Sequence, residues 1–168
     1  MLSTTRNRTF LASLLVALLL VPASAQARCP NAGSSSAQLS TDQAQDTIRC
    51  LLNRARKRSD APKLKQRDSL DAAAQHHASE MASLGHFSHW SPSGDDVRDR
   101  ARAFGYKGAV GEIIAAGQSS PARVVDAWLE SDPHRAVILS RRLRHVGVGV
   151  GLSTDSLGEY YAVSLGRR

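Results

Sequence analysis

The order of hydrophobic patterns along the 168 residues predicts an α+β fold, in which helices mostly precede an antiparallel sheet. Before residue 140, several stretches carry apolar residues at helical spacing and begin with residues that cap helices. Near the C-terminus the pattern changes to strict alternation, first from Val146 to Leu152 and again from Tyr160 to Leu165. Two alternating runs joined by a short polar turn are typical of a β-hairpin. This order disfavours a βαβ repeat architecture.

The first residues have the pattern of an export signal. Arg6 and Arg8 precede a nearly unbroken apolar run over residues 10–21, and small residues that suit a cleavage site follow. The run is shorter than the about 20 residues that a membrane-spanning helix needs. We therefore expect residues 1–27 to be a signal peptide. The mature protein is then secreted, periplasmic or extracellular, with no transmembrane span.

Cys29 and Cys50 are the only two cysteines. In an oxidising compartment a lone pair most simply forms one disulfide, which would join an irregular N-terminal arm (residues 28–39) to the first helix. Closing such a loop stabilises by about 3 kcal/mol in the chain-entropy model. A zinc site is disfavoured because the pair lacks C-x-x-C spacing. Residues 40–168 have a length that suits one domain with one core.

Five helices are predicted, each from its own start signal. Those signals are Ser40 with Gln43, Asp68, Ser93 with Asp96, Ser120 with Pro121, and Asp132 with Pro133. The apolar face of the second helix includes His77 and, in its last turn, Leu84. A short apolar stretch from Ala109 to Ala115, flanked by glycines, predicts a buried strand whose one charge is Glu112.

In the first strand of the hairpin, glycine occupies every second position from Gly147 to Gly151. One face of this strand is therefore bare, so another backbone or a helix can approach it closely. No helix follows at the spacing of a nucleotide-binding loop, which excludes that function. His145, just before this strand, is expected at the surface.

Two histidines and one carboxylate are the main candidate functional residues. His89 follows the second helix, Glu112 is the charge in the short strand, and His134 falls in the first turn of the fifth helix. A helix N-terminus keeps an imidazole neutral, and a buried carboxylate is costly unless paired. Such a cluster could hold zinc or another divalent cation through the two histidines, or act in acid–base catalysis. The chain lacks the H-E-x-x-H motif of zinc proteases.

The order of several short stretches, taken together, is specific. They are Cys50 to Arg56, Ala73 with His77, Phe87 to Gly94, Arg100, Gly111 to Ala115, Trp128, His134 with Arg135, and Val146 to Val150. This order resembles the CAP superfamily (cysteine-rich secretory, antigen 5 and pathogenesis-related proteins), in particular its small secreted bacterial branch. The resemblance covers about Cys50 to Leu165. It implies a three-layer α-β-α sandwich with a central, mainly antiparallel sheet and a cleft lined by two histidines and two acids.

In this sequence the resemblance assigns three of the four cleft positions to His89, Glu112 and His134. The second acid of eukaryotic members lies three residues after the tryptophan, where this chain has Ser131. Its neighbour Glu130 points elsewhere if that segment is helical, so both residues remain candidates for the fourth position. His77 is a further cleft candidate, with a hydrogen-bonded core histidine as the alternative.

Two apolar residues, Ile113 and Val137, replace asparagines that are usual in the family. We hypothesise that they lie near each other or near the cleft and give this protein a drier site than its relatives have.

The resemblance favours a binding module whose cleft takes a lipid-like or cell-envelope ligand together with the cation. The alternative is a hydrolase, in which Glu112 or a histidine activates water on a peptide, ester or cell-wall substrate. No catalytic serine in a nucleophile elbow supports that alternative.

The formal charge of +7 is concentrated in two basic segments, Arg54 to Arg67 and Arg141 to Arg144. Their simplest interpretation is a solvated cationic face, and association with anionic partners is a third possible function. Nucleic acid is not expected as a partner, because no aromatic residues are interleaved with the charges to stack on bases.

Overall fold

The computed structural model describes residues 29–167, so the predicted signal peptide lies outside the described residues. The helices are α1 (Thr41–Arg58), α2 (Asp68–Leu84), α3 (Val97–Ala103), α4 (Pro121–Glu130) and α5 (Asp132–Leu139), with a 3-10 turn at Ser36–Gln38. The strands are β1 (Lys65–Gln66), β2 (Ala109–Ala116), β3 (His145–Leu152) and β4 (Glu159–Arg167). The mixed α+β class predicted from the sequence is confirmed. No helix in the described part of the chain is long and apolar enough to cross a membrane.

The four strands form one sheet in the order β1-β3-β4-β2. The hairpin partners β3 and β4 are antiparallel, as predicted, and β2 pairs antiparallel with the other edge of β4. Val163 in β4 lies opposite both Val148 and Ile113, which fixes the register across the centre of the sheet. The two-residue β1 pairs parallel with the start of β3, and the sequence contained no signal for it because its residues are polar and exposed.

Helices cover both faces of the sheet, so the three-layer arrangement is confirmed. On one face α1, α4 and α5 enclose the larger apolar cluster, which includes Ile48, Trp128 and Ile138. On the other face α2 packs through small residues such as Ala74 and Ala78, and α3 packs beside it. Burying each large apolar side chain stabilises the fold by roughly 1.5–3 kcal/mol, so the larger cluster dominates the core.

The bare glycine face of β3 is where α2 approaches the sheet. A Cβ atom on Gly149 would stand 2.2 Å from the carbonyl oxygen of Ala74. Gly147 and Gly151 face Leu70 and Ala78 in the same way, one helical turn to either side. The predicted close approach is therefore confirmed, and α2 lies directly against the strand backbone.

The N-terminal arm is attached to the domain at several points. Cys29 and Cys50 form the predicted disulfide, with a Cα–Cα distance of 5.7 Å. The arm also makes backbone hydrogen bonds to the loop before α4 and to α4 itself, of which Ser36 N to Ser119 O is one. The hydroxyl of Tyr161, whose pKa burial raises to about 12, lies 2.7 Å from Ser36 Oγ.

Several local expectations were wrong. The predicted N-caps Asp68 and Asp132 are instead the first residues of α2 and α5, whose N-caps are Arg67 and Ser131. The capping box of α3 is formed by Asp96 with Asp99, one turn later than predicted, because Ser93 instead donates to Asp95. Leu84 is 61% exposed because α2 ends at Gly85 and its last turn projects beyond the apolar cluster beneath the helix. His145 is buried rather than at the surface, since β3 begins with it.

Candidate functional site

The loop after α2 presents His89 to solvent. Gly85 ends the helix in the left-handed conformation, with a φ of 60°, which a residue without a Cβ adopts at little cost. The next turn is closed by backbone hydrogen bonds between Ser91 and its neighbours Gly94 and Asp95. Within this loop the side chain of His89 is 52% exposed.

Glu112 lies behind His89 with its side chain only 3% exposed. Side chains alternate along β2, so Ile113 enters the larger core and Glu112 points to the opposite face of the sheet. Glu112 Oε1 is 2.9 Å from His89 Nδ1, and Glu112 Oε2 accepts from Arg100 Nη2 at 2.7 Å. Because a carboxylate accepts, Nδ1 carries a proton, and in the neutral tautomer the other ring nitrogen of His89 presents a lone pair.

Arg100 holds this arrangement together, and it was assigned no role in the sequence analysis. Its guanidinium is buried and also donates to the carbonyls of Asp95 and His89, at 2.8 and 3.1 Å. One side chain thus connects α3, the His89 loop and β2. Only the match of Arg100 to the family pattern could have indicated this role from the sequence. A basic residue in a short helix is otherwise expected to be exposed to solvent.

His77 lies beneath the site as a buried core histidine that supports the loop. Its Nε2 donates to Ser88 O at 2.9 Å, and the same nitrogen is 3.9 Å from Glu112 Oε1. Its Nδ1 is 3.5 Å from Glu80 Oε2 and makes no hydrogen bond. Burial lowers the pKa of His77 and outweighs the opposing effect of Glu112, so the ring is held neutral.

The helix α5 places His134 within electrostatic range of His89. Burial lowers the pKa of His134, and the nearby imidazole of His89 lowers it further. One turn later Val137 packs near the start of β2, where its Cγ1 is 3.8 Å from the Cβ position of Gly111. The α5 helix therefore rests on the strand that carries Glu112, on the face opposite that side chain. The electrostatic effect of His89 on His134 is what links the two histidines.

The two candidates for the fourth position lie at the junction of α4 and α5. Ser131 is partly buried, and its carbonyl accepts from Arg135 N at 2.8 Å. Glu130 is exposed and borders a separate cavity of about 610 Å³ together with Arg123 and Asp126. None of His89, Glu112 and His134 lines that cavity, so the structure does not join Glu130 to the cluster.

A divalent cation could be held here by two imidazoles at most. Within residues 29–167 no group of three or more histidine, cysteine, aspartate or glutamate side chains is arranged to hold a metal. Both oxygens of Glu112 are already engaged by His89 and Arg100. A cation held by His89 and His134 would complete its shell with water, and Glu112 would orient the first imidazole.

Ile113 and Val137 lie in the same part of the core. Ile113 is fully buried in the larger apolar cluster, and Val137 packs against that cluster. Both therefore belong to one apolar region, on the face of β2 opposite Glu112. The drier character of the site stays a prediction.

The sandwich and its histidine–glutamate cluster define a class of protein. A model of the cysteine-rich secretory protein family, CAP, matches residues 51–165 of the chain. The chain therefore belongs to the CAP family, as the motif order predicted.

Individual relatives agree with this assignment. The chain is 37% identical over 101 residues to the uncharacterized protein YkwD of Bacillus subtilis (strain 168), which covers 59% of this chain and 39% of YkwD. An extracellular protein containing an SCP domain from Bacillus anthracis str. Ames superposes with a TM-score of 0.68 at 27% identity, over 76% of this chain and 41% of that one. The chain thus spans well under half of each of these two relatives.

A third similarity concerns the fold alone. An outer surface protein from Borrelia burgdorferi superposes with a TM-score of 0.66 at 23% identity. The match covers 72% of this chain and 90% of that protein.

Proposed function

We propose that this chain is an exported binding module whose cleft, formed by His89, Glu112 and His134, holds a divalent cation and a lipid-like or cell-envelope ligand. The observation that carries the proposal is the 2.9 Å hydrogen bond from His89 to a buried carboxylate. This bond fixes the tautomer of a half-exposed imidazole and makes its free nitrogen a better ligand for a cation. His134, kept neutral by its lowered pKa, supplies the second nitrogen.

Export is supported by the predicted signal peptide, the Cys29–Cys50 disulfide and the relatives described as extracellular or outer surface proteins. An apolar ligand is supported by the surroundings of the cluster. Phe87 and Trp90 lie within three residues of His89, and their side chains are 49% and 55% exposed. Exposed aromatic residues beside polar ligating groups are typical of sites that take an amphipathic molecule.

Zinc titration of the metal-free protein by calorimetry tests the cation site. We expect His89→Ala and His134→Ala to weaken zinc binding at least about tenfold, a loss of about 1.4 kcal/mol. His86→Ala is the matched control, because His86 is an exposed histidine in the same loop and lies outside the cluster. Unchanged zinc binding in both cluster variants would show that the site does not hold the cation.

Tryptophan fluorescence tests the apolar ligand. Trp90 is exposed, whereas the only other tryptophan, Trp128, is buried and donates to Ile114 O. Added oleate should shift the emission to shorter wavelength by covering Trp90, and Trp90→Phe should abolish the shift. An unaltered wild-type emission at saturating oleate would contradict a lipid-like ligand at this site.

A hydrolase remains the second candidate, and the same hydrogen bond favours it. A histidine oriented by a buried carboxylate is the arrangement of a general base, which here would activate water through its free nitrogen. We would then expect turnover of peptide, ester or glycan substrates that falls at least about 100-fold in Glu112→Gln and in His89→Ala. Full activity in both variants would exclude this role for the pair.

A further inference from the structure

A second surface of the molecule, remote in sequence from the histidine cluster, is a groove at the end of α1. Its cavity of about 770 Å³ is bounded by the last turns of α1 and the loop that follows. The lining residues are Asn53, Arg54, Lys57, Arg58, Asp60, Ala61 and Lys63. Four of these seven carry positive charge, and one is acidic.

The positive charges of the groove are not paired with acids. Arg54, Lys57 and Arg58 follow one another at the i, i+3 and i+4 spacing that puts them on one face of α1. Lys63 lies in the loop on the other side of the cavity. Among residues 29–167 none of these four side chains forms a salt bridge, whereas Arg98 and Arg100 elsewhere do. Like charges at this spacing repel, which leaves the groove favourable to an anion.

The segments around the groove are held together by arginine side chains that donate hydrogen bonds to backbone carbonyls. Arg56 is fully buried and donates to the carbonyls of Pro62, Ser140 and Leu143, at 2.7 to 3.0 Å. It thereby joins α1 to the loop after α1 and to the loop after α5. Arg141 adds a hydrogen bond to the carbonyl of Asp60, 2.7 Å long. Arg141 thus adds a further positive charge beside the groove.

We propose that this groove binds a flexible, linear, phosphate-bearing polymer. Guanidinium groups match phosphate oxygens in pairs, and lysines add point charges, so a chain with one phosphate per repeat can satisfy several of these cations at once. The groove carries cations on its α1 side and on its loop side, so an extended chain that lies in it can contact both. Arg141, bonded to the carbonyl of Asp60, adds a cation at its edge. This function goes beyond the cleft and does not depend on it.

A lipid bilayer fits this surface less well. Proteins that lie on membranes insert apolar side chains beside their basic residues. The large exposed apolar residues of the described chain are Leu84, Phe87, Trp90, Phe104, Leu152 and Leu157. None of them lines the groove, and no aromatic side chain there can stack on the bases of a single-stranded nucleic acid.

Binding of long-chain inorganic polyphosphate, measured by fluorescence anisotropy at several salt concentrations, tests the proposal. We expect Lys57→Gln with Arg58→Gln to weaken binding about tenfold or more. The slope of log affinity against log salt should fall by about 1.4, since each of the two lost phosphate contacts removes about 0.7. The matched control, Arg102→Gln with Arg123→Gln, removes two charges outside the groove and should change affinity less than about threefold.

Several outcomes would overturn the proposal. An equal loss in the control pair would show that only net charge matters, and a loss in His89→Ala would place binding in the cleft. Tighter binding to poly-glutamate would contradict phosphate as the recognised group. Preference for a DNA duplex or for anionic phospholipid vesicles would replace the polymer with that partner. Thermal melting of each variant confirms that it is folded.

Discussion

Arg100 and Glu112 form a buried ion pair at the centre of the site, with both side chains at most 4% exposed. Removing one partner leaves the other charge in a place that water hardly reaches, which is the costly case for buried charges. We predict that Arg100→Ala lowers the free energy of unfolding by about 3 kcal/mol. The measurement is urea denaturation at pH 7.

Arg102→Ala is the control for this prediction. Arg102 lies on the same helix with a side chain that is 73% exposed, and its ion pair to Asp99 is 3.7 Å long. We expect a change within about 0.5 kcal/mol, as for most surface pairs. If Arg100→Ala and Arg102→Ala lowered the free energy of unfolding equally, the buried contacts of Arg100 would add no more stability than an exposed ion pair.

His77 should make the stability of the protein depend on pH. Burial lowers its folded-state pKa, while in an unfolded chain a histidine has a pKa of about 6.5. The unfolded state therefore takes up more protons as the pH falls. The stabilising contribution of the neutral ring is complete above about pH 6.5 and is lost as the pH falls toward the folded-state pKa, by at most about 1.4 kcal/mol per pH unit.

Urea denaturation at about pH 7.5 and about pH 5.5, on either side of the unfolded-state pKa, measures this contribution. The loss of stability between the two values should be smaller in His77→Gln than in the wild type, with the remainder coming from groups such as His134, whose pKa is also lowered. His76→Gln changes the neighbouring, less buried histidine on the same helix and should keep the wild-type dependence. An identical pH dependence in both variants would refute the assignment to His77.

At the scale of elements, α2 packs directly against the backbone of β3. A Cβ on Gly149 would overlap the backbone of Ala74, which a side-chain rotation cannot relieve. We predict that Gly149→Ala destabilises by about 2–3 kcal/mol through overpacking, measured by urea denaturation. Gly111→Ala is the matched control, since the added methyl group on β2 would make an ordinary 3.8 Å contact with Val137. A Gly149→Ala variant as stable as Gly111→Ala would show that α2 can move away from the sheet at little cost.

Elements with local signals were the ones predicted well. The capping box of Ser40 with Gln43 and the Ser120–Pro121 start of α4 are both present where expected. The strand β1 was missed because its pairing with β3 depends on a neighbour about 80 residues away in sequence, as Lys65 N donating to Arg144 O shows.

At the scale of the whole molecule, the disulfide and the arm determine how the N-terminus is held. We predict that Cys29→Ser with Cys50→Ser lowers the free energy of unfolding by about 3 kcal/mol, because the open loop gives the unfolded chain more freedom. Urea denaturation of this variant should match that of the reduced wild-type protein. If the oxidised wild-type protein and the variant were equally stable, the disulfide would add nothing to stability. The hydrogen bonds of the arm to α4 and to the preceding loop would then be enough to hold it.

The sequence alone determined the class of fold, the starts of α1 and α4, the hairpin and the bare face of β3, because periodicity, caps and glycines act over a few residues. It also singled out His89, Glu112 and His134 through the motif order. Only the tertiary structure decided that Arg100 holds Glu112, that Glu130 lies in another cavity and that His145 is buried. Those contacts join residues from different elements, and which side chains meet there depends on how the layers pack.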